Sequence, residues 1–457
     1  MKKILCLILA FSMLLPLFSC KKSEPSYSFI NGVSLEEFVI VYSESDHDYS
    51  LRAAEYIKNE ILARTGLDLP IVPDKEPPYD NEIVVGNTER EISDSLDADT
   101  EGLEFAIVAE GGSVALEGDY FIIAAAAYYF IETFVPYDDF HATIPDQAMI
   151  REPIVKEANN YIMLIGDGMG VYQTLLYDYL ESDADFSDGE DVFYGYMLPS
   201  HGFSRTASLS GITDSAAGGT ALSSGIKTVN SYVGLDKDGN EVQSLTELCG
   251  SMGMATAVMS TEGKTGATPS SFSAHAPDRD DNVEILKSQI ALTQEYGTII
   301  NCSFDYYTKK YMDRSVESRI SETLDELSKD EDGFFMMYEE AHIDKHSHNN
   351  DMDKTFLALI RFNQAIGRFM EFAFYNPDTF ILITADHETG GLRPSEDGEL
   401  AYNSDYHTLD NVPIFAYGDG AELFDGKTIE NIQIAQTIAS FLSVYDFGDQ
   451  SEFQYLK

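Results

Sequence analysis

Five short apolar runs dominate the chain beyond residue 160: YIMLIG (161–166), ATAVMS (255–260), GFFMMY (333–338), TFILITA (379–385) and VPIFAYG (412–418). A strand with one face in water alternates apolar and polar residues, so continuous apolar runs mean that both faces are covered. Helix-length segments separate the runs. Strand–helix alternation of this kind predicts an α/β fold: a mostly parallel central sheet with helices on both faces. Open sheets of that class bind their ligands beyond the carboxyl ends of the strands.

What stands at those strand ends is unusually uniform. Asp167 follows the first run in IGDGMG, and Glu339, Asp344 and His348 follow the third in EEAHIDKHSH. Asp386 and His387 follow the fourth, and His407 comes just before the fifth. One Asp or His at a strand end is ordinarily a solvated or satisfied polar group. Carboxylates and imidazoles converging on one sheet edge form the donor set that zinc and magnesium sites require. Asp344 and His348 are four apart and share a face if that segment is helical.

Between the first two runs lies GITDSAAGGTALSSGIKT (211–228), where Asp214 and Ser215 open a helix-favouring segment. Both residue types are preferred at helix caps, so Ser215 reads either as a cap or as a nucleophile. No His adjoins Ser215 in sequence, and metal coordination is the other standard way to activate a serine hydroxyl.

The N-terminal third is organised differently. Lys2 and Lys3 precede an apolar run from Ile4 to Leu17, followed by Leu17-Phe18-Ser19-Cys20, which resembles a bacterial lipobox. Residues 1–19 are therefore expected to be a lipoprotein signal peptide, with a lipid on Cys20 anchoring an exported chain to the cell envelope. A tether (20–30) leads into an α+β unit (31–150): a strand at 36–43, a helix at 49–66, a strand at 81–86, a hairpin at 104–118 and a helix at 119–134. Pro136, Pro145 and Pro153 break periodicity and mark a boundary before the catalytic domain, 151–457. The runs EIVVGNTER and VALEGDYFIIAAAAYYFIETFV resemble the small accessory domain of bacterial hexosaminidase- and glucuronidase-like enzymes, which implies a spacer or docking module. With every candidate ligand after residue 160, deletion of 30–150 is expected to leave the metal site intact.

The formal net charge is −49. That excludes nucleic acid as an expected partner, and phosphate chemistry would need a local positive charge that metal ions supply. Apart from Cys6 and Cys20 the chain holds Cys249 and Cys302, either a single disulfide or two buried thiols.

IGDGMG, TDSAAGGTALSSG, ATPSSFSAH with a following Arg, EEAHIDKHSH, TADHETGG and YHT before VPIFAYG occur together and in the order of the alkaline phosphatase family, which this chain resembles over roughly 158–445. The resemblance implies a phosphomonoesterase with two zinc ions and one magnesium, acting on small phosphorylated substrates through a phosphoserine. Ser215 would be the nucleophile. Asp344, His348 and His407 match the ligands of the zinc on the leaving-group side, and Asp167, Asp386 and His387 those of the zinc that activates Ser215. Asp167, Thr268 and Glu339 match magnesium ligands. Arg279 matches the phosphate clamp, with Asp214 as its orienting partner.

Gly266 departs from the pattern, because the family carries Asp or His there near the magnesium. A weakened magnesium site that Gly266→Asp would tighten is expected, with nearby Lys345 acting in the same direction, unless Glu262 fills the gap. Two other readings stand beside the phosphomonoesterase: a phosphodiesterase or nucleotide pyrophosphatase of the same superfamily, and a non-catalytic surface-binding lipoprotein.

Overall fold

The computed structural model describes residues 28–46, 48–94, 102–137, 141–180, 192–305, 310–311 and 315–457. The signal segment, Cys20 and the tether up to residue 27 lie outside the described residues.

The N-terminal unit is a six-stranded sheet. Its strands are β1 (Val39–Tyr42), β2 (Ile71–Pro73), β3 (Glu82–Val85), β4 (Phe105–Glu110), β5 (Ser113–Glu117) and β6 (Met149–Arg151), in the order β2-β1-β3-β5-β4-β6. Helices α1 (Tyr49–Thr65) and α2 (Ile122–Phe134) pack on it, and α1 stops where Gly66 takes a left-handed φ of 78°. The expected strand at 36–43 is shorter in the structure, because Leu35–Glu37 forms a single 3₁₀ turn ahead of β1. β6 lies inside the Pro-punctuated segment and pairs antiparallel with β4, so this sheet straddles the expected boundary at 150/151. Three residues are too few to show a period of two, which is why the sequence gives no strand signal there.

The second sheet has nine strands among the described residues. They are β7 (Asn160–Gly166), β8 (Ser200–Arg205), β9 (Ala255–Gly263), β10 (Ile299–Asp305), β11 (Lys310–Tyr311), β12 (Phe334–Glu340), β13 (Thr379–Thr384), β14 (Val412–Tyr417) and β15 (Thr428–Glu430). Their order is β11-β10-β9-β12-β7-β13-β14-β8-β15. The central five, β10 to β13, run parallel. β14 is antiparallel to β13, so its start lies at the same edge as the ends of the parallel strands.

Both faces of the central strands are buried. Ile162 and Leu164 of β7 join one core with Met336, Tyr338, Ile381 and Ile383, whereas Tyr161, Met163 and Ile165 join another with Phe335, Met337, Phe380 and Leu382. The period of two thus divides the side chains of each apolar run between two cores.

On the first of these faces lies the long helix Met352–Tyr375, followed outward by α2 of the N-terminal unit. Phe121 packs on Phe374 with ring centroids 5.7 Å apart, and Tyr56 stacks on Tyr375 at 4.2 Å. Arg52 Nε donates to both carboxylate oxygens of Glu371, at 2.8 and 2.9 Å. One continuous core spans both units, with Ile57, Phe105 and Phe130 in the same cluster as Phe362 and Phe369. The N-terminal unit is therefore part of the wall behind the nine-stranded sheet, and its deletion would expose an aromatic helix face.

Candidate active site

The helix α3 (Ser215–Ser224) begins at Ser215, and its N-cap is Asp214, whose Oδ1 accepts from the Ala217 N–H at 3.0 Å. The capping role expected for Ser215 belongs to Asp214 instead. Ser215 occupies the first helical position, buried, with its hydroxyl free of capping duty. Asp214 does a second job: Oδ2 accepts from Arg279 Nη1 at 3.1 Å and from the Ser231 N–H at 2.9 Å. One carboxylate thus fixes both the helix start and the guanidinium. The expected pairing of Arg279 with Asp214 is what the structure contains.

Around Ser215 two clusters of donor atoms form at the carboxyl edge of the sheet. Asp344, His348 and His407 bring one ligand atom each within 4.8 Å of one another, and so do Asp167, Asp386 and His387. β7 delivers Asp167 and β13 delivers Asp386 and His387, while the short helix His342–Ser347 carries Asp344 and ends at His348. The helical spacing holds, with His348 Nε2 3.2 Å from Asp344 Oδ1. The antiparallel entry of β14 brings His407 to the same edge, its Nε2 3.5 Å from Asp344 Oδ1.

The hydrogen bonds fix the tautomers. His348 Nδ1 faces the Asp405 carbonyl at 2.6 Å and His407 Nδ1 faces the Thr213 carbonyl at 2.8 Å. A carbonyl only accepts, so both Nδ1 atoms carry a proton, and in the neutral rings both Nε2 atoms present lone pairs. Thr389 does the same for the other cluster. Its hydroxyl donates to Asp344 Oδ1 at 2.6 Å, so toward His387 Nδ1, 3.1 Å away, it accepts. His387 Nε2 then presents its lone pair to Asp167 Oδ1 (3.5 Å), Asp386 Oδ2 (3.3 Å) and Ser215 Oγ (3.2 Å).

Such crowding is electrostatically costly without a cation. Burial, then Asp386 and Asp344, push the Asp167 carboxyl well above its usual range. Burial and Asp344 push Asp386 up to about 6. Burial opposes ionisation of Asp344, but its bond to His407 and the nearby His387 and His348 hold it well below the usual carboxylate range. Burial and His407 push His387 down. Asp167 Oδ1, Asp386 Oδ2, Thr268 Oγ1 and Glu339 Oε1 are buried without a hydrogen-bond partner among the described residues. Orphaned oxygens and converging imidazole lone pairs fit divalent cations, and zinc in particular suits the mixed N and O donors.

Of the residues expected to hold magnesium, Asp167 belongs to one cluster and Glu339 to neither. Glu339, next to last in β12, accepts from the Ser260 hydroxyl. Thr268 lies in the short helix α4 (Ala267–Ser271). Gly266 is different from the expected gap, for Glu262 reaches into its place and pairs with Lys345. His275 pairs with Glu247 and the Gly234 carbonyl, away from both clusters. Cys249 and Cys302 are free and buried, not bridged.

Two contributors escaped the sequence reading. Thr389 ties Asp344 to His387, and its place inside TADHETGG was the available signal. Buried Glu388 accepts from Gln173, Thr408 and the Gly391 and Leu392 amides, which secures the loop leading to His407. An acidic residue flanked by Thr and two glycines gives no sign of that work.

Known proteins similar to this chain are alkaline phosphatases. The family model described as Alkaline phosphatase matches residues 158–303 and 300–402. Alkaline phosphatase 3 of Bacillus subtilis is 28% identical over 337 residues, 63% of this chain and 71% of that protein. Alkaline phosphatase 4 of the same organism is 25% identical over 357 residues, 65% of this chain and 75% of its own. Among solved structures, alkaline phosphatase from the Antarctic bacterium TAB5 superposes with a TM-score of 0.53 at 25% identity, covering 63% of this chain and 98% of that one. A TAB5 variant with the same TM-score and identity, covering 65% of this chain and all of its own, is described with Mg bound in its M3 site. The matched span carries Ser215, Arg279 and every residue of the two donor clusters except His407, and the chain is a member of the alkaline phosphatase family.

Proposed function

We propose that this protein is a metal-dependent phosphomonoesterase that works through a phosphoserine on Ser215. The observation that carries the reading is the placement of Ser215 Oγ beside His387 Nε2, next to a second trio whose imidazole lone pairs also converge. Asp344, His348 and His407 would hold one zinc and Asp167, Asp386 and His387 another, with magnesium at Asp167, Thr268 and Glu339. When bound, these ions lower the pKa of the serine hydroxyl and of water and neutralise charge on the entering and leaving oxygens.

The chain's own residues do the rest. Arg279, held by Asp214, offers a planar fork to two non-bridging phosphoryl oxygens. The N-terminus of α3, positive by its dipole, faces the same charge. Ser215 Oγ gives up its proton to water and forms a bond to phosphorus as the bond to the alcohol oxygen breaks, and the alcohol leaves with a proton from water. Water then attacks the phosphoserine, releasing phosphate and restoring Ser215.

Arg279 supports monoesters over diesters, because a monoester offers the fork more free anionic oxygen. Metal analysis together with turnover of p-nitrophenyl phosphate and of its bis ester tests the reading. Faster diester turnover would favour the phosphodiesterase. No turnover of either by the zinc-loaded protein would favour a binding lipoprotein.

The proposal for location is export with a lipid on Cys20, supported by Lys2, Lys3, the apolar run and the lipobox-like LFSC. Labelled palmitate should enter the protein and be lost in Cys20→Ala. The N-terminal unit carries none of the proposed ligands, and its part is to cover the helix Met352–Tyr375.

A further inference from the structure

Gly266 opens α4 with φ −56° and ψ 149°, a backbone that any residue adopts. Its lack of a side chain has a spatial cause. A Cβ at Gly266 would stand 1.8 Å from Glu262 Oε1 and 2.4 Å from Glu262 Cδ. The Glu262 carboxylate occupies the volume that a side chain at 266 would fill. Its other oxygen accepts from the Lys345 ammonium, which belongs to the same short helix as Asp344.

The groups around this point are few. Thr268 is two residues on from Gly266, and its buried Oγ1 has no partner among the described residues, nor do Glu339 Oε1 and Asp167 Oδ1. The Ser260 hydroxyl joins the two acids, accepting from the Glu262 N–H at 2.9 Å and donating to Glu339 Oε2.

We propose that Glu262 is the acidic partner of the third cation site, standing in from four residues upstream for the side chain that position 266 lacks. Lys345 is its positioning residue: the ion pair stops the flexible glutamate from turning out to solvent. Gly266 is then a requirement of this arrangement, because any larger residue would expel Glu262. This proposal rests on the metal-dependent reading and deepens it at one site.

The test is magnesium titration, followed by calorimetry, into full-length protein that has been demetallated and reloaded with zinc. Glu262→Gln keeps the shape and removes the charge, and it should weaken magnesium by about ten- to a hundredfold with zinc content unchanged. Gly266→Asp alone should also weaken it by disturbing Glu262. The double variant Glu262→Ala/Gly266→Asp should recover affinity to within a few fold of wild type, which a purely structural role for Glu262 would not produce. If wild type takes up magnesium and Glu262→Gln binds it equally tightly, the proposal is overturned while the metal reading stands. If zinc-loaded wild type takes up no magnesium, the reading of the third site fails and this proposal with it. If Glu262→Gln loses zinc or does not fold, the double variant decides, and failure to recover magnesium binding rejects the proposal.

Discussion

The Nε2 atoms of His348 and His407 stand 3.1 Å apart, each ring held by an Nδ1 bond to a backbone carbonyl. Neither ring can turn without giving up that bond, so the two lone pairs are committed to a shared point beside Asp344. Binding a cation there should stabilise the fold by linkage. Zinc added to chelated protein should raise the thermal midpoint by about 5 °C or more, and His348→Ala should abolish most of that rise. Scanning calorimetry with and without zinc is the measurement, and an unchanged midpoint would count against a metal at this point.

Ser215→Ala should lower turnover of p-nitrophenyl phosphate by about 10³-fold or more. Asp214, not Ser215, caps α3, so far-ultraviolet dichroism and zinc content should stay near wild type. A variant that keeps its turnover would remove Ser215 from the chemistry.

Arg279→Ala should lower kcat/KM for the monoester by about ten- to a hundredfold, as expected for charged hydrogen bonds worth about 1.5–3 kcal/mol. Asp214→Asn should cost less, since it leaves the guanidinium in place but loosens it. The ratio of monoester to diester kcat/KM should narrow in both. An unaltered ratio would show that the clamp does not set specificity.

The buried thiols of Cys249 and Cys302 are each pushed up to about 12 by burial. Folded thiols therefore stay protonated while unfolded ones ionise near 9, so the stabilising term is complete below pH 9 and is lost as pH rises toward 12. Each thiol should remove about 1.4 kcal/mol of stability per pH unit across that window. Urea unfolding at pH 8, 9.5 and 10.5 should show this slope, and a thiol reagent should react with neither cysteine in the native protein at pH 8. Rapid labelling of the native form would contradict their burial.

Phe121→Ala should destabilise the whole molecule by about 3–5 kcal/mol, not the N-terminal unit alone. Phe121 touches both Tyr194 and Phe374 of the catalytic unit. A single unfolding transition that shifts as one confirms the shared core. Two separated transitions would restore the picture of a dispensable module.

The site was legible because its residues punctuate strands. Asp167, Glu339, Asp386 and His387 follow continuous apolar runs, and such runs can be read without knowing which strand pairs with which. His407 was legible for a related reason, since it precedes a strand that proves antiparallel. Glu262 stood in the sequence only as an alternative, because a glycine where a side chain is expected does not decide whether a neighbour bends into the space. Ser215 and Asp214 were indistinguishable as caps until the Asp214 oxygens were seen to serve the helix amide and Arg279 together. The union of the two units was hidden most completely. Arg52 and Glu371 are 319 residues apart, and no local pattern reports that they meet.

That separation gives synthesis an order of events. The N-terminal unit leaves the ribosome early, and the aromatic surface around Phe121 and Tyr56 then waits for Met352–Tyr375 to be made. At about 5–20 residues per second the wait is on the order of tens of seconds. Throughout it, a nascent chain carries an apolar face whose native partner helix does not yet exist. A holding chaperone, or retention of the whole chain in an extended state until translation ends, would spare that face from pairing with a neighbouring copy.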